Sequence, residues 1–156
     1  MDSGQQAAGI AGMILAMGFT FVLLVIAFYV LLVVAQWKMF TKAGVEGWKS
    51  IIPIYNTYML FKIVWNTQSF WMLLGLGVIA SILSAIGSGS SDPNIIIVIL
   101  TLVACIALLV MDIKLSINMA KAYGKGIGFA IGLILLPNIF MLILGFGSAQ
   151  YIGPQE

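Results

Sequence analysis

The chain has 156 residues, of which 62% are hydrophobic and 8% are charged, and its formal net charge is +2. Soluble domains carry about 25% charged residues, so the charged groups here are too few to cover a water-exposed surface. The composition therefore excludes a soluble globular protein and predicts a single membrane domain over residues 1–156.

The side-chain inventory excludes several chemistries. The sequence contains no His, no Arg and one Cys, Cys105, which lies in an apolar stretch. Zinc sites, His-based acid and base pairs and Cys–His nucleophiles therefore cannot be built within one chain. We expect no metal, no cofactor, no enzymatic activity and no nucleic-acid partner.

The first predicted element is a membrane span over residues 8–35, an apolar run that can cross about 30 Å of hydrocarbon at about 1.5 Å per residue. The next segment, 50–65, is also apolar but includes Pro53, Asn56 and Lys62. An ionised Lys at the centre of a membrane costs about 2.5–3.5 kcal/mol on insertion scales. We therefore expect residues 50–65 to form a short interfacial or re-entrant helix.

Three further apolar runs follow, over residues 70–86, 95–111 and 127–146. Each approaches the length that a transmembrane helix needs. The sequence thus predicts an all-α integral membrane protein with four transmembrane helices and one short interfacial or re-entrant helix after the first span.

The lysines predict the orientation. All seven lie in two segments, four between the first and second predicted spans and three between the third and fourth. The N-terminal residues, the loop 87–94 and the tail 148–156 contain none. Because cytoplasmic loops carry the excess of Lys, both basic segments are predicted inside and both termini outside.

The third span continues without a Gly or Pro into a polar stretch that holds Asp112, Asn118 and Lys121. Ionisable residues near a membrane boundary often mark an ion or proton path. These three residues, with Tyr55 and Asn56, are therefore candidates for lining a polar cavity. The simpler interpretation is a solvated helix end whose lysines reach water.

Pro137 and Asn138 interrupt the fourth span near its centre. Proline frees a backbone carbonyl, and an amide side chain in hydrocarbon needs a partner. One interpretation is a broken helix that binds a cation, which adds Asn138 to the cavity candidates. The other is a kink with an interhelical hydrogen bond. Pro53 is the second expected helix break.

Several short motifs carry a resemblance to a known family: Lys42-Ala-Gly-x-x-Gly47-Trp48, Ile51-Ile-Pro-Ile-Tyr-Asn56, Lys121-Ala-x-Gly124-Lys-Gly126, Leu136-Pro137, and Gly145-Phe-Gly147 with Tyr151. Over residues 37–153 the chain resembles a family of small prokaryotic multi-pass membrane proteins, a domain of unknown function whose members are often labelled signal peptidase I. The resemblance implies a location in the prokaryotic cytoplasmic (inner) membrane. It brings no established activity with it.

Signal-peptidase chemistry needs a Ser that is activated by a Lys of lowered pKa at the outer face of the membrane. Every Lys here is predicted inside, so we expect no such activity, and a lipid-modifying enzyme would have only Asp112 with a Lys to use. The sequence favours a non-catalytic membrane module, an accessory or assembly partner that contacts membrane lipids and a protein partner or a second copy. The alternative is a small homo-oligomeric channel or transporter for an ion or small solute.

Overall fold

The structure is a computed structural model that describes residues 3–89 and 94–154. The described ranges leave out residues 1–2, 90–93 and 155–156. These are both chain ends and the centre of the loop 87–94, and the sequence predicts an outer location for all three. Within the described ranges the chain is helical and contains no strand.

Six α-helices and one 3-10 helix follow one another in the described chain. In order they are α1 (Ser3–Lys42), the 3-10 helix Gly47–Ser50, α2 (Pro53–Val64), α3 (Thr67–Ser88), α4 (Ile95–Ala122), α5 (Ile127–Leu135) and α6 (Pro137–Phe146). Of these, α1, α3 and α4 are long and apolar enough to cross a membrane. They contain the predicted spans 8–35, 70–86 and 95–111, so the protein is all-helical with three candidate membrane-spanning helices.

The helices α1 and α4 end in the same type of cap. Gly44 and Gly124 follow them in the left-handed region, with φ of 72° and 66°. The next N–H in each case, that of Val45 or Lys125, donates to a carbonyl five residues back at 2.9 or 2.8 Å. Glycine adopts this conformation without steric cost and so stops both helices at a defined residue.

The fourth predicted span, 127–146, is not one helix in this structure. It is divided into α5 and α6, of nine and ten residues, which are about 14 and 15 Å long at 1.5 Å per residue and too short to cross a bilayer. Leu136 separates them with φ of −136° and ψ of 62°. The residue before a proline disfavours helical geometry, and Pro137 then begins α6, where its missing N–H costs nothing.

The helices α5 and α6 fold back on each other. The rings of Phe129 and Phe140 meet edge to face with their centroids 4.9 Å apart, whereas these positions in a straight helix would be separated by about 16 Å. A Cβ on Gly132 would overlap with the Phe140 ring, so the glycine makes room for that ring. The segment is therefore a helical hairpin.

Both ends of this hairpin lie at the same end of the molecule. Helix α5 packs against α4, and α6 packs against α1. The Lys42 Nζ donates to the carbonyls of Leu144 and Gly147 at 2.6 and 2.7 Å, and the Ile152 N–H donates to the Ala122 carbonyl at 2.8 Å. The C-terminal tail thus lies beside the ends of α1 and α4. This differs from the predicted position of the tail, which four complete spans would place at the opposite end, because the break at Leu136 turns the chain back.

The buried core lies at this same end. Its largest fully buried side chains are those of Tyr123, Phe40, Phe61, Met39, Leu144 and Val64. The Tyr123 hydroxyl donates to the Met39 carbonyl at 2.8 Å and the Tyr151 hydroxyl to the Ile63 carbonyl at 2.6 Å. Burial raises the pKa of Tyr123 well above its ordinary value, so this phenol remains a hydrogen-bond donor at neutral pH.

The segment for which the sequence predicts a short helix, 50–65, contains α2. Its 12 residues extend over about 18 Å, too little to cross the hydrocarbon. Residues Met59, Leu60, Phe61, Ile63 and Val64 of its C-terminal half are buried, whereas Ile54 near its beginning is 73% exposed. Helix α2 is therefore partly a core element and partly an exposed apolar one.

We predict that Gly145→Ala destabilises the fold. A Cβ at Gly145 would lie 2.5 Å from the backbone oxygen of Ala35, so the substitution has to push α6 away from α1 and should lower the free energy of unfolding by about 1–3 kcal/mol. Gly128→Ala is the matched control, because nothing lies within 4 Å of its Cβ position and alanine favours a helix by about 1 kcal/mol. Denaturation in mild detergent, followed by circular dichroism, measures both variants. Equal stability of the two would contradict the close crossing.

Candidate functional site

The polar candidates on α4 and α6 do not interact with one another in the structure. Asp112 and Lys121 are exposed on α4, and Asn138 is exposed in the first turn of α6. The side chains of these three residues make no hydrogen bond or ion pair with any residue in the described ranges. Asn118 is buried, at 9% exposure, within the turn of α4 that also supplies core residues. A cavity that joins all four residues therefore stays a prediction.

Asn56, by contrast, lies at a junction of three helices. Its Nδ2 donates to the Oε1 of Gln36 on α1, and the Gln36 Nε2 points to the sulfur of Met141 on α6 at 3.1 Å. This chain of contacts links α2, α1 and α6. It lies next to the crossing of α6 over α1, since Ala35 precedes Gln36 and contacts Gly145.

A half-enclosed cavity of about 280 Å³ opens beside this junction, between α1, the 3-10 helix and α2. Its polar lining residues are Tyr29, Gln36, Ser50, Asn56 and Thr57, and none of its lining residues is a Lys, Asp or Glu. Ser50 is 3% exposed, and its hydroxyl has no hydrogen-bond partner among the described residues. The cavity therefore combines several polar lining residues with the absence of formal charge in its described lining.

The aromatic residues form a stack on another side of α2. The Tyr55 ring stacks on Trp48 and Tyr58 with centroid distances of 6.5 and 5.9 Å, and Tyr58 meets Phe70 of α3 edge to face at 5.3 Å. Tyr55 thus contributes to an aromatic surface, and 37% of Tyr55 itself is exposed. It is not among the residues that line the cavity.

The two expected helix breaks are helix starts in the structure. Pro53 begins α2 and Pro137 begins α6, and neither helix has a side-chain cap at its N-terminus. At that position proline loses no hydrogen bond. Pro53 also lines the cavity, so the uncapped start of α2 lies at the cavity wall.

Three lysines lie around the C-terminal end of α1. The Nζ of Lys38 lies 4.5 Å above the Phe146 ring, and that of Lys42 is bound by the two carbonyls at the end of α6, which a cation there stabilises. Lys49 pairs with Glu46 at 3.3 Å. Hydrogen bonds from Lys49 and Trp48 lower the pKa of the Glu46 carboxyl.

In the described chain, no three His, Cys, Asp or Glu side chains gather as a metal site would require.

Sequence reasoning found Asn56 but missed Gln36, Ser50 and Tyr29. Gln36 directly follows the first predicted span, where a polar residue is unremarkable at a helix end. Its signal was weak but present: it is the first amide after a long run of apolar residues and stands two positions before Lys38. Ser50 carries no signal at all, because its burial depends on how the 3-10 helix packs on α1.

We predict that Gln36 and Asn56 are energetically coupled. Gln36→Leu and Asn56→Leu each remove one partner of the pair, and the double variant should be less destabilised than the sum by about 0.6 kcal/mol, the average for such bonds in membrane proteins. Unfolding in detergent of the two single variants and the double variant gives this coupling. Asn138→Leu combined with Gln36→Leu is the control and should be additive, since Asn138 is exposed. Additivity in both pairs would contradict the junction.

The comparisons with known proteins give one result. A family model described as a family of unknown function, DUF5684, matches residues 48–154, which include part of the 3-10 helix, α2 to α6 and the C-terminal tail. Comparison with curated proteins and with solved structures gave no match. The resemblance to a domain of unknown function is thereby confirmed. Because the match extends over more than half of the chain, the protein belongs to the family of unknown function DUF5684.

Proposed function

We propose that the protein is a non-catalytic membrane module that assembles with another membrane protein through α1. The observation that carries this proposal is the exposure of α1. Every residue from 9 to 31 is exposed, and no residue of its most apolar 18-residue window is buried. The extensive contacts of α1 in the described chain are with α6 and the 3-10 helix, near its C-terminal end.

The residue types along α1 favour a protein partner. Gly9, Gly12, Ala16 and Thr20 recur at spacings of three and four and so share one face of the helix. Small residues let two membrane helices approach closely. No atom outside the helix lies within 4 Å of a Cβ placed at Gly9 or Gly12, so the chain itself does not use this face. The partner we propose is an apolar transmembrane helix of a different protein.

The absence of catalysis is part of the proposal. A Ser–Lys nucleophile needs a Ser hydroxyl that is hydrogen-bonded to a Lys amine. In the described ranges no Ser hydroxyl makes such a bond. A signal-peptidase activity therefore finds no support in the geometry of these residues.

The alternative, a homo-oligomeric channel or transporter, would have to build its path between copies. Within one chain α3 packs extensively on α4, whereas α1 makes no extensive contact with either of them in the described residues. The candidates Asp112, Lys121 and Asn138 are not linked by contacts. We therefore favour the module.

For the topology, we propose that the basic segments and the C-terminal tail share the cytoplasmic side of a prokaryotic inner membrane. The lysine distribution supports this assignment for the basic segments. The contacts of Lys42 with Leu144 and Gly147 support it for the tail. The beginning of α1 would then lie outside.

Cysteine labelling tests this topology. In a Cys105→Ser background, we expect Gln5→Cys to react with an impermeant maleimide in intact cells. Thr41→Cys and Ser148→Cys should react only after permeabilisation, because both positions lie at the end of the molecule that carries the basic segments. All three positions are exposed. Labelling of Ser148→Cys in intact cells would mean that α5 and α6 cross the membrane together and that the hairpin opens.

Substitutions on two faces of α1 test the partner. We expect Gly12→Leu with Ala16→Leu to abolish a stoichiometric complex with a different membrane protein, because leucine side chains block the close approach of helices. Gly18→Leu is the matched control: it lies on the opposite face of α1 and also has open space around it. Polymer extraction from native membranes followed by native mass spectrometry measures the complex.

The outcomes separate the two functions. Loss of a foreign subunit on the Gly12 face, with retention in the Gly18 variant, is the expected result. A complex that contains copies of this chain alone would overturn the proposal and favour the homo-oligomeric alternative. Recovery of the monomer from native membranes in every variant would also overturn it.

A further inference from the structure

A separate cavity, the α3–α4 cavity, opens where α3 begins and lies against the side of α4. Its volume is about 340 Å³. The polar side chains of its lining include those of Asn66, Gln68 and Ser69 at the start of α3 and that of Lys114 on α4. None of its described lining residues is an Asp or a Glu. The lining thus carries one positive charge and no negative charge.

Ser69 is the most deeply buried of these polar residues, at 5% exposure. Its backbone N–H donates to the Asn66 Oδ1 at 2.7 Å, but its hydroxyl has no hydrogen-bond partner among the described residues. This hydroxyl is not sealed inside the protein, because the only unpartnered side-chain group that is fully closed off in the described chain is that of Ser50. A molecule in the α3–α4 cavity can therefore bond to Ser69.

The N-terminus of α3 adds hydrogen-bond donors to the same cavity. The N–H groups in the first turn of a helix have no acceptor within that helix. Asn66 satisfies the N–H of Ser69, whereas the N–H of Gln68 has no acceptor among the described residues. A free N–H at the start of a 22-residue helix favours an anion, and the helix dipole acts in the same direction.

Lys114 supplies a full positive charge. Its amine makes no ion pair or hydrogen bond with any residue in the described ranges. Asp112, the acid on the same helix, does not line the cavity. An anion in the α3–α4 cavity would therefore meet an unpaired ammonium group together with the donors at the start of α3.

The number of these donors favours a phosphate group over a carboxylate. The Lys114 ammonium, the Ser69 hydroxyl and the Asn66 amide can all donate from the lining. A carboxylate has fewer oxygens than a phosphate group and would leave more of these donors unused. Lysine side chains and helix N-termini are also regular phosphate ligands in proteins.

The position of the cavity agrees with the phosphate of a lipid. Helices α3 and α4 are long and apolar enough to cross a membrane, and the cavity lies where α3 begins and where the apolar run 95–111 of α4 ends. With both helices across a membrane, Lys114 reaches the headgroup level. Met72 and Val110 also line the cavity and are exposed, so acyl chains can lie along them.

We propose that the α3–α4 cavity binds a phosphate group, of the kind that a phospholipid headgroup or a soluble phosphate supplies. The phosphate oxygens accept from the Ser69 hydroxyl and from the N–H groups at the start of α3, and Lys114 neutralises their charge. The apolar side of the cavity favours the lipid as the source. The proposal does not depend on the partner of α1.

Native mass spectrometry of the full chain in detergent tests the proposal. The protein is titrated with phosphatidylglycerol, with diacylglycerol that has the same acyl chains, and with inorganic phosphate. We expect phosphatidylglycerol to bind about tenfold more tightly than diacylglycerol, because only the former carries a phosphate. The tighter-binding of phosphatidylglycerol and inorganic phosphate identifies the source of the group, and either source supports the proposal.

Two substitutions in the lining test the site itself. Ser69→Ala should weaken phosphate binding about three- to tenfold, the value of one hydrogen bond. Lys114→Gln should weaken it about two- to fivefold, because the lost charge is exposed to solvent. The Tm of the protein without added ligand should not fall in Ser69→Ala, since the removed hydroxyl has no partner to lose.

Two matched controls separate this site from general attraction to a basic surface. Lys121→Gln removes the same charge from an exposed position about 10 Å farther along α4, and Ser81→Ala removes an exposed hydroxyl on α3 that bonds its own helix. Both should leave binding unchanged. Equal losses in Lys114→Gln and Lys121→Gln would overturn the proposal. So would unchanged binding in Ser69→Ala or Lys114→Gln, or a protein that binds no phosphate and does not distinguish the two lipids.

Discussion

The close crossing of α6 over α1 is the contact on which the rest of the structure depends. Gly145 lies so near the backbone of Ala35 that a single added methyl group would overlap with it. At this distance the Lys42 side chain reaches the carbonyls at the end of α6 and caps that helix. Sterics and a charge-assisted cap thus act at the same place and hold the C-terminal end of the chain to the end of α1.

The asymmetry of the molecule follows from this crossing. Helix α5 begins shortly after α4 and packs on it, and α6 returns to the end of α1. The tail then bonds to α2 through Tyr151 and to α4 through Ile152. The buried side chains collect at that end. The other end consists of α1 alone and the pair of α3 and α4, which expose apolar side chains. One end of the protein is therefore organised by its own core, and the other end exposes long apolar helices.

The cavity and its polar junction are a second consequence. Gln36 follows the residue at which α6 crosses, so the crossing brings Met141 to one side of its amide while α2 brings Asn56 to the other. The 3-10 helix packs on α1 as well, and Ser50 is buried there without a partner. A polar pocket is thus built beside this crossing from residues of three separate segments.

The sequence alone determined the helical class, the three long apolar helices and the short helix after the first of them, because hydropathy and helix-stop residues act locally along the chain. It also indicated a break at Pro137, yet hydropathy cannot distinguish an apolar run that crosses a membrane from one that turns back halfway. Only the tertiary structure decided this, through contacts such as the one between Lys42 and Leu144, which are 102 residues apart. For the same reason the sequence could single out Asn56 but not Gln36 or Ser50, whose roles arise when distant segments meet.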